Sequence, residues 1–307
     1  MKTAMPSATP SDSRALKAGL AILTAQISVN LGAALAKDLF HQLGPELVTA
    51  MRTGLGAFAL GLIIRPRPAL VPRHLLGWIG LYGLALGGMN LLIYEALQRL
   101  PIGIAVGIEI CGPLAVAIAG VRDWRALVWP GLAIAGLALL IPWPGRAHAL
   151  DPLGLVLALG AAGCWALYIL LGRRAAQANG GVAVSLGMIA ACVVTWPVAL
   201  ATASQFPPTS AWGTMAGVAV LSSTVPYLLE MRAMAALPAA AVGLISSAAP
   251  AIAALVGYLV LGETLRPLQG LAIALLILAA AGCSLSQQAR NRARRSNTPA
   301  PARIEPQ

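Results

Sequence analysis

A single carboxylate stands in an otherwise apolar run: Glu109 is the only charged residue of eighteen in GIAVGIEICGPLAVAIAG (103–120). A lone acid in such a run suits three tasks. It can take up a proton on one side of a barrier and release it on the other, hold an ammonium group, or hydrogen-bond a neighbouring helix. At 100° per residue, Ala105, Gly112, Pro113 and Gly120 fall within about 60° of it on a helix. That face is small and proline-weakened, so it is either a tight helix contact or a cavity wall.

Other polar residues pose the same question. Glu230 shares a face with Ser223, Pro226 and Tyr227; a local ion pair with Arg232 is the competing reading. Gly83, Gly87, Asn90 and Tyr94 form one stripe, and Gln26, Asn30 and Lys37 lie on the first apolar run. The amides could simply bond helices together. Arg52 cannot shed its proton. It needs a carboxylate, a carbonyl or water, and the candidates are Glu46, Glu109 or the carboxylate of a substrate; a structural anchor is the alternative. Trp165 and Tyr168 offer aromatic walls or ordinary packing. Glu95 precedes Arg99 by four residues and is expected to pair with it, and Glu263 is expected to be structural. The candidate substrate-binding set is therefore Glu109, Asn90, Tyr94, Arg52, Tyr227, Glu230, Trp165 and Lys37, with Glu109 also the candidate for proton coupling.

No enzyme constellation accompanies them. His41, His74 and His148 are scattered in connections, no phosphate-binding loop is present, and no paired acids suggest a metal. Cys111, Cys164, Cys192 and Cys283 fall inside apolar runs at no metal-like or disulfide-like spacing. Neither cofactor nor metal is expected.

The elements that must position these residues follow from composition. The chain has 307 residues, of which 58% are hydrophobic and 10% charged; a soluble domain carries about a quarter charged. The apolar content recurs in ten runs, near 16–36, 46–64, 75–97, 102–121, 126–142, 153–171, 182–203, 212–235, 239–261 and 267–286. Each is about long enough to cross a hydrocarbon core as a helix. Pro and Gly punctuate the joins, as in RPRPALVPR (65–73) and FPPTS (206–210). The runs do not alternate with a period of two, which excludes a transmembrane barrel. The first run lacks a small-residue cleavage site, so a removed signal peptide is not expected.

The net charge of +11 does not imply nucleic acid. With a cytoplasmic N-terminus and ten crossings, sixteen Lys and Arg fall on the cytoplasmic side and four on the other. That is the bias of basic loops retained inside. Both termini are expected in the cytoplasm, as a polar tail (1–15) and a basic, disordered tail (287–307).

The chain also repeats. At an offset of 137, Leu100-Pro101 matches Leu237-Pro238, Pro113 matches Pro250 and Gly120 matches Gly257. Five helices per half is an odd number, so the second half would enter the membrane inverted, an arrangement common in secondary transporters.

Several stretches carry a family resemblance: LGAALAKDLF (31–40), VTAMRTGLG (48–56), GLALGGMNLLIY (83–94), LPIGIAVGIEICGPLAVAI (100–118), ALGAAGCWALYIL (158–170), LSSTVPYLLEM (221–231) and LGETL (261–265). Through them the chain resembles the drug/metabolite transporter superfamily with its paired EamA modules, and within it the bacterial threonine/homoserine exporters. One departure stands out: the exporter pattern has a glutamate before the repeat proline of helix nine, where this chain has Ala249.

The resemblance implies an all-α membrane protein of ten transmembrane helices, built as two inverted five-helix repeats (16–147 and 148–286). It implies export of a threonine- or homoserine-like amino acid across the bacterial inner membrane; the Glu109 carboxylate itself makes proton antiport the expected coupling, with facilitated diffusion as the alternative. The expected partners are the small-molecule substrate, protons and the lipid bilayer. A broader exporter of aromatic amino acids, drugs or other metabolites is the alternative within the superfamily. A membrane scaffold or enzyme is the alternative outside it.

Overall fold

The computed structural model describes residues 12–119, 128–140, 150–175, 177–203, 207–236, 245–246 and 248–296. Every longer element among them is helical. Helix α1 (Asp12–Ile64) is interrupted at Gly44, whose φ of 75° and ψ of 150° are not helical. Its apolar part, Leu16–Ile64, has 49 residues. At about 1.5 Å per residue that is more than twice the hydrocarbon thickness of about 30 Å. The interruption therefore divides it into two membrane-length pieces, α1a (12–43) and α1b (45–64). Glycine takes the positive φ without a Cβ clash, and Pro45 cannot donate to the preceding turn. The first helix is thus longer than the apolar run that announced it.

Helix α2 spans Arg73–Arg99. The next crossing is broken into α3 (Ile102–Glu109) and α4 (Cys111–Ala119). Pro113 has no N–H for the Glu109 carbonyl, whereas the flanking bonds, Ile110 N–H to Val106 and Leu114 N–H to Ile110, survive at 3.2 Å each. Helices α5 (Val128–Leu140), α6 (Pro152–Ala175) and α7 (Gly180–Thr202) follow. Then come α8 (Thr209–Ala219), a π turn (Val220–Thr224) and α9 (Val225–Ala236). Last are α10 (Ala249–Leu261), capped by left-handed Gly262, and α11 (Pro267–Ser296).

The packing pairs answer one another across the two halves. Helix α2 lies on α6 and α7, as the α8–α9 unit lies on α1; α4 packs on α6, as α10 packs on α1; α3 meets α10, and α5 meets α11. The last pair brings together a repeated sequence, GLAIA at 131–135 and again at 270–274. There a Cβ on Gly136 would stand 3.0 Å from the Ala272 carbonyl oxygen.

Backbones touch at other seams. A Cβ on Gly83 would fall 2.3 Å from the Gly187 carbonyl oxygen, and one on Gly112 would fall 2.0 Å from that of Ala162. The small face beside Glu109 is therefore, at Gly112, a tight contact with α6. Large apolar side chains such as Phe58, Val193, Leu200 and Leu259 point outward and exposed. That suits a surface solvated by lipid rather than water.

Five helical stretches are long and apolar enough to cross a membrane, and shorter apolar helices cover 102–116, 128–139, 249–261 and 267–282. The protein is a multi-pass membrane protein. Leu237-Pro238, Gly120, the start of the N-terminal tail and the end of the C-terminal tail lie outside the described residues, as does the side chain of Arg232.

Candidate functional site: a buried arginine held by neutral acceptors

On α1b, Thr49 and Thr53 bond back into their own helix, to Pro45 O at 2.7 Å and Thr49 O at 2.8 Å. Thr53 also meets Thr195 of α7 hydroxyl to hydroxyl at 2.9 Å. Between them Arg52 is 3% exposed. Its Nη2 donates to Asn90 Oδ1 on α2 and its Nη1 to the Ser222 carbonyl at 3.3 Å. Its guanidinium lies over the Tyr94 ring, 4.7 Å from the centroid. Asn90 is itself fixed, because its Nδ2 donates to Leu86 O at 2.8 Å.

The Ser222 acceptor exists for a local reason. In an unbroken helix the N–H at position 226 would take it, but residue 226 is proline. One residue earlier, Val225 N–H reaches back to Val220 O, the signature of the π turn, and so leaves Leu221 O free. Ser28 Oγ of α1a fills that vacancy at 2.6 Å. Two successive carbonyls of one helix are thus bonded by side chains from the two arms of α1. Gly32 and Gly56 permit this approach: their Cβ atoms would stand 2.8 Å from Ser222 N and 2.9 Å from Ser223 Cβ.

Glu109 is buried at the α3–α4 break, within electrostatic reach of Arg52. Among the described residues the ion pairs are Lys37–Glu263 and Arg99–Asp151, and neither involves Arg52 or Glu109. Tyr227 of α9 lies within electrostatic reach of Arg52, Glu230 and Tyr168. Tyr168 stacks on Tyr82 with centroids 4.7 Å apart. Arg52, Asn90 and Tyr94 are thus in direct contact, Tyr82 and Tyr168 form a stacked pair, and Glu109, Tyr227 and Glu230 lie within electrostatic reach, so that the eight residues make one polar neighbourhood.

Two expected members lie elsewhere. Lys37 donates to Glu263 Oε1 at 2.5 Å and to Leu100 O at 3.0 Å. The same carboxylate accepts the Ile102 N–H at 2.9 Å. Lys37 therefore holds α1a, the start of α3 and the end of α10 together, and its charge is already matched. Trp165 is half-buried on α6, and the aromatic of that helix that joins the group is Tyr168. Arg99 bonds not Glu95 but Asp151, at 3.2 Å. Outside the membrane, the Asp151 carboxyl lies below the usual range, chiefly because it accepts the Leu153 N–H.

Several buried polar atoms have no partner: Arg52 Nε, the Tyr94 hydroxyl, Ser185 Oγ, Ser223 Oγ and Glu95 Oε1. A cavity of about 380 Å³ lies apart from the polar group, lined by Ala254, Tyr258, Glu263, Thr264 and Leu265. Sequence reasoning missed Tyr82 and the π turn. Tyr82 lies one residue before Gly83 of the stripe but on another face, and its partner is more than eighty positions away.

The relatives define the class: a membrane transport protein rather than an enzyme. Residues 152–285 match the EamA-like transporter family. The threonine/homoserine exporter RhtA of Escherichia coli (strain K12) is 39% identical over 268 residues, 86% of this chain and 90% of that protein. The threonine/homoserine exporter RhtA of Salmonella typhimurium (strain LT2) is 39% identical, over 87% of this chain and 91% of its own. An uncharacterized transporter of Bacillus subtilis (strain 168), YwfM, is 30% identical over 57% of this chain and 63% of its own. A solved crystal structure superposes with a TM-score of 0.60 at 20% identity, covering 91% of this chain and 99% of the other, which shows a shared fold. The chain belongs to the EamA-like transporter family.

Proposed function

We propose that the protein exports a small amino acid of the threonine/homoserine kind across the bacterial inner membrane, in exchange for protons. One observation carries this reading: a fixed guanidinium bonded to neutral acceptors, with a lone carboxylate in electrostatic reach. A zwitterion complements both. Its carboxylate suits Arg52 Nε and the Tyr94 hydroxyl, which are buried and unpartnered. Its ammonium suits Glu109. Similarity to the exporters named above supports the substrate class and the direction.

Proton antiport follows if substrate and proton compete for Glu109, the acid binding a proton on one side and the ammonium on the other. The supporting architecture is ten spans in two inverted five-helix repeats, 16–147 and 148–286, with both termini cytoplasmic. The symmetric pairing of helices and the doubled GLAIA strip favour it. The stacked tyrosines, Tyr82 and Tyr168, favour a second reading, a broader exporter that also accepts aromatic amino acids.

Counterflow in proteoliposomes tests both. Labelled threonine and homoserine should exchange against the same unlabelled amino acids, and a proton gradient should drive net movement. Exchange of phenylalanine at a comparable rate would favour the second reading, and exchange of none of them would defeat both.

A further inference from the structure

Three adjacent hydroxyls occupy the π turn and its end, Ser222, Ser223 and Thr224. Inside a helix such hydroxyls ordinarily bond back to a carbonyl of the preceding turn. Two do so here: Ser222 Oγ donates to Val218 O at 2.6 Å, and Thr224 Oγ1 reaches Ala219 O at 3.5 Å. Ser223 does not. Its side chain is 0% exposed, yet its Oγ has no partner. A buried hydroxyl left unpaired is costly, so one retained in this state is a candidate for a partner that comes and goes.

Its position narrows what that partner is. Ser223 Oγ would lie 3.3 Å from a Cβ on Gly56, so it sits against the bare backbone left by that glycine. Gly56 and Arg52 lie four residues apart on one face of α1b, about 5–6 Å from each other. The preceding carbonyl, Ser222 O, is the one that holds Arg52. Ser223 is thus the residue next to the carbonyl that holds the guanidinium, and its hydroxyl lies against the α1b backbone one turn beyond Arg52.

The geometry points to Ser223 as the residue that reads the side-chain hydroxyl of the substrate. This assignment rests on the amino-acid reading proposed above and adds the part of the site that separates hydroxylated from plain aliphatic substrates. A site arranged to bond a hydroxyl discriminates against analogues that lack one, because its own polar group is then left unpaired. Ser223→Ala removes that penalty and the bond together, while keeping the backbone and the space beside Gly56.

The test is competitive counterflow in proteoliposomes, with homoserine and threonine set against their deoxy analogue, 2-aminobutyrate. The wild type should favour the hydroxylated pair by about tenfold or more. Ser223→Ala should bring the ratio close to one, chiefly by weakening homoserine and threonine, with 2-aminobutyrate exchange retained as evidence of a folded carrier. Ser223→Thr, which restores a hydroxyl, should recover part of the preference. Ser185→Ala, which removes a second buried serine hydroxyl without a partner, should leave the ratio unchanged. If Ser223→Ala keeps the wild-type ratio, or Ser185→Ala abolishes it, the assignment is overturned while the amino-acid reading stands. If the wild type exchanges none of the three, both fall.

Discussion

The Ser222 carbonyl accepts from Arg52 at 3.3 Å because Pro226, four residues further along, has no N–H to offer it. A helix defect in one half of the chain thereby creates the acceptor that orients the buried cation of the other.

Replacing Pro226 by alanine returns the competing N–H. The helix should regain its own bond and Arg52 should lose its third fixed contact. Threonine counterflow is expected to fall about tenfold at matched expression, equivalent to about 1.4 kcal/mol. Thermal stability in detergent should stay level or rise, since the helix interior no longer contains proline.

Arg52→Lys keeps the charge and loses the fork. A lysine ammonium cannot bond Asn90 and Ser222 in one plane while lying flat on Tyr94. Counterflow should drop by more than tenfold, and Arg52→Ala should also be less stable by about 1–3 kcal/mol through the acceptors it leaves unpaired. Wild-type rates in Arg52→Lys would show that charge alone suffices.

Glu109→Gln preserves shape and hydrogen-bonding capacity and removes the titratable group. Proton-driven export should be abolished with the protein still inserted. Counterflow should persist if only coupling depended on the charge, and fail if the charge also holds the ammonium. Unimpaired proton-driven transport in oriented vesicles would reduce Glu109 to a helix contact.

Lys37 and Glu263 should behave as a structural pair. A double-mutant cycle of Lys37→Met and Glu263→Gln, read by thermal unfolding in detergent, should show a coupling of about 1 kcal/mol. Substrate affinity should be unaffected in the folded variants, since this pair lies apart from the polar group around Arg52.

Reporters fused at the N-terminus, in the 65–74 connection and after residue 290 should all face the cytoplasm, and one in the 203–211 connection should face the periplasm. An external signal from either terminus would contradict ten crossings.

The helices themselves were legible because run length and punctuation are local properties, but 102–121 read as one crossing, and its division between Glu109 and Cys111 was not foreseen from Pro113 alone. Arg52, Asn90, Tyr94, Tyr227 and Glu230 were singled out for one reason: polar atoms are rare in apolar runs and tend to converge. What was hidden depends on distant partners. Lys37 resembled its polar neighbours on the first run until Glu263, 226 positions away, took its charge. Nothing in the residues 220–224 announces a π turn, which is stabilised by the hydroxyl of Ser28, 193 positions from Leu221. The choice between Trp165 and Tyr168 turned on which one faces Tyr82, and that depends on the rotation of α6.

The π turn stores one extra residue in its helix, and Ser28 holds it there from outside. If α1a tilted and withdrew that hydroxyl, Val225 N–H could return to Leu221 O and the surplus residue would be wound out. Everything beyond it would then screw by about 100° and about 1.5 Å. Tyr227 and Glu230 ride on that end. A sideways lean of α1a would thus become a rotation of the acid and its tyrosine, a crankshaft whose pin is a single serine.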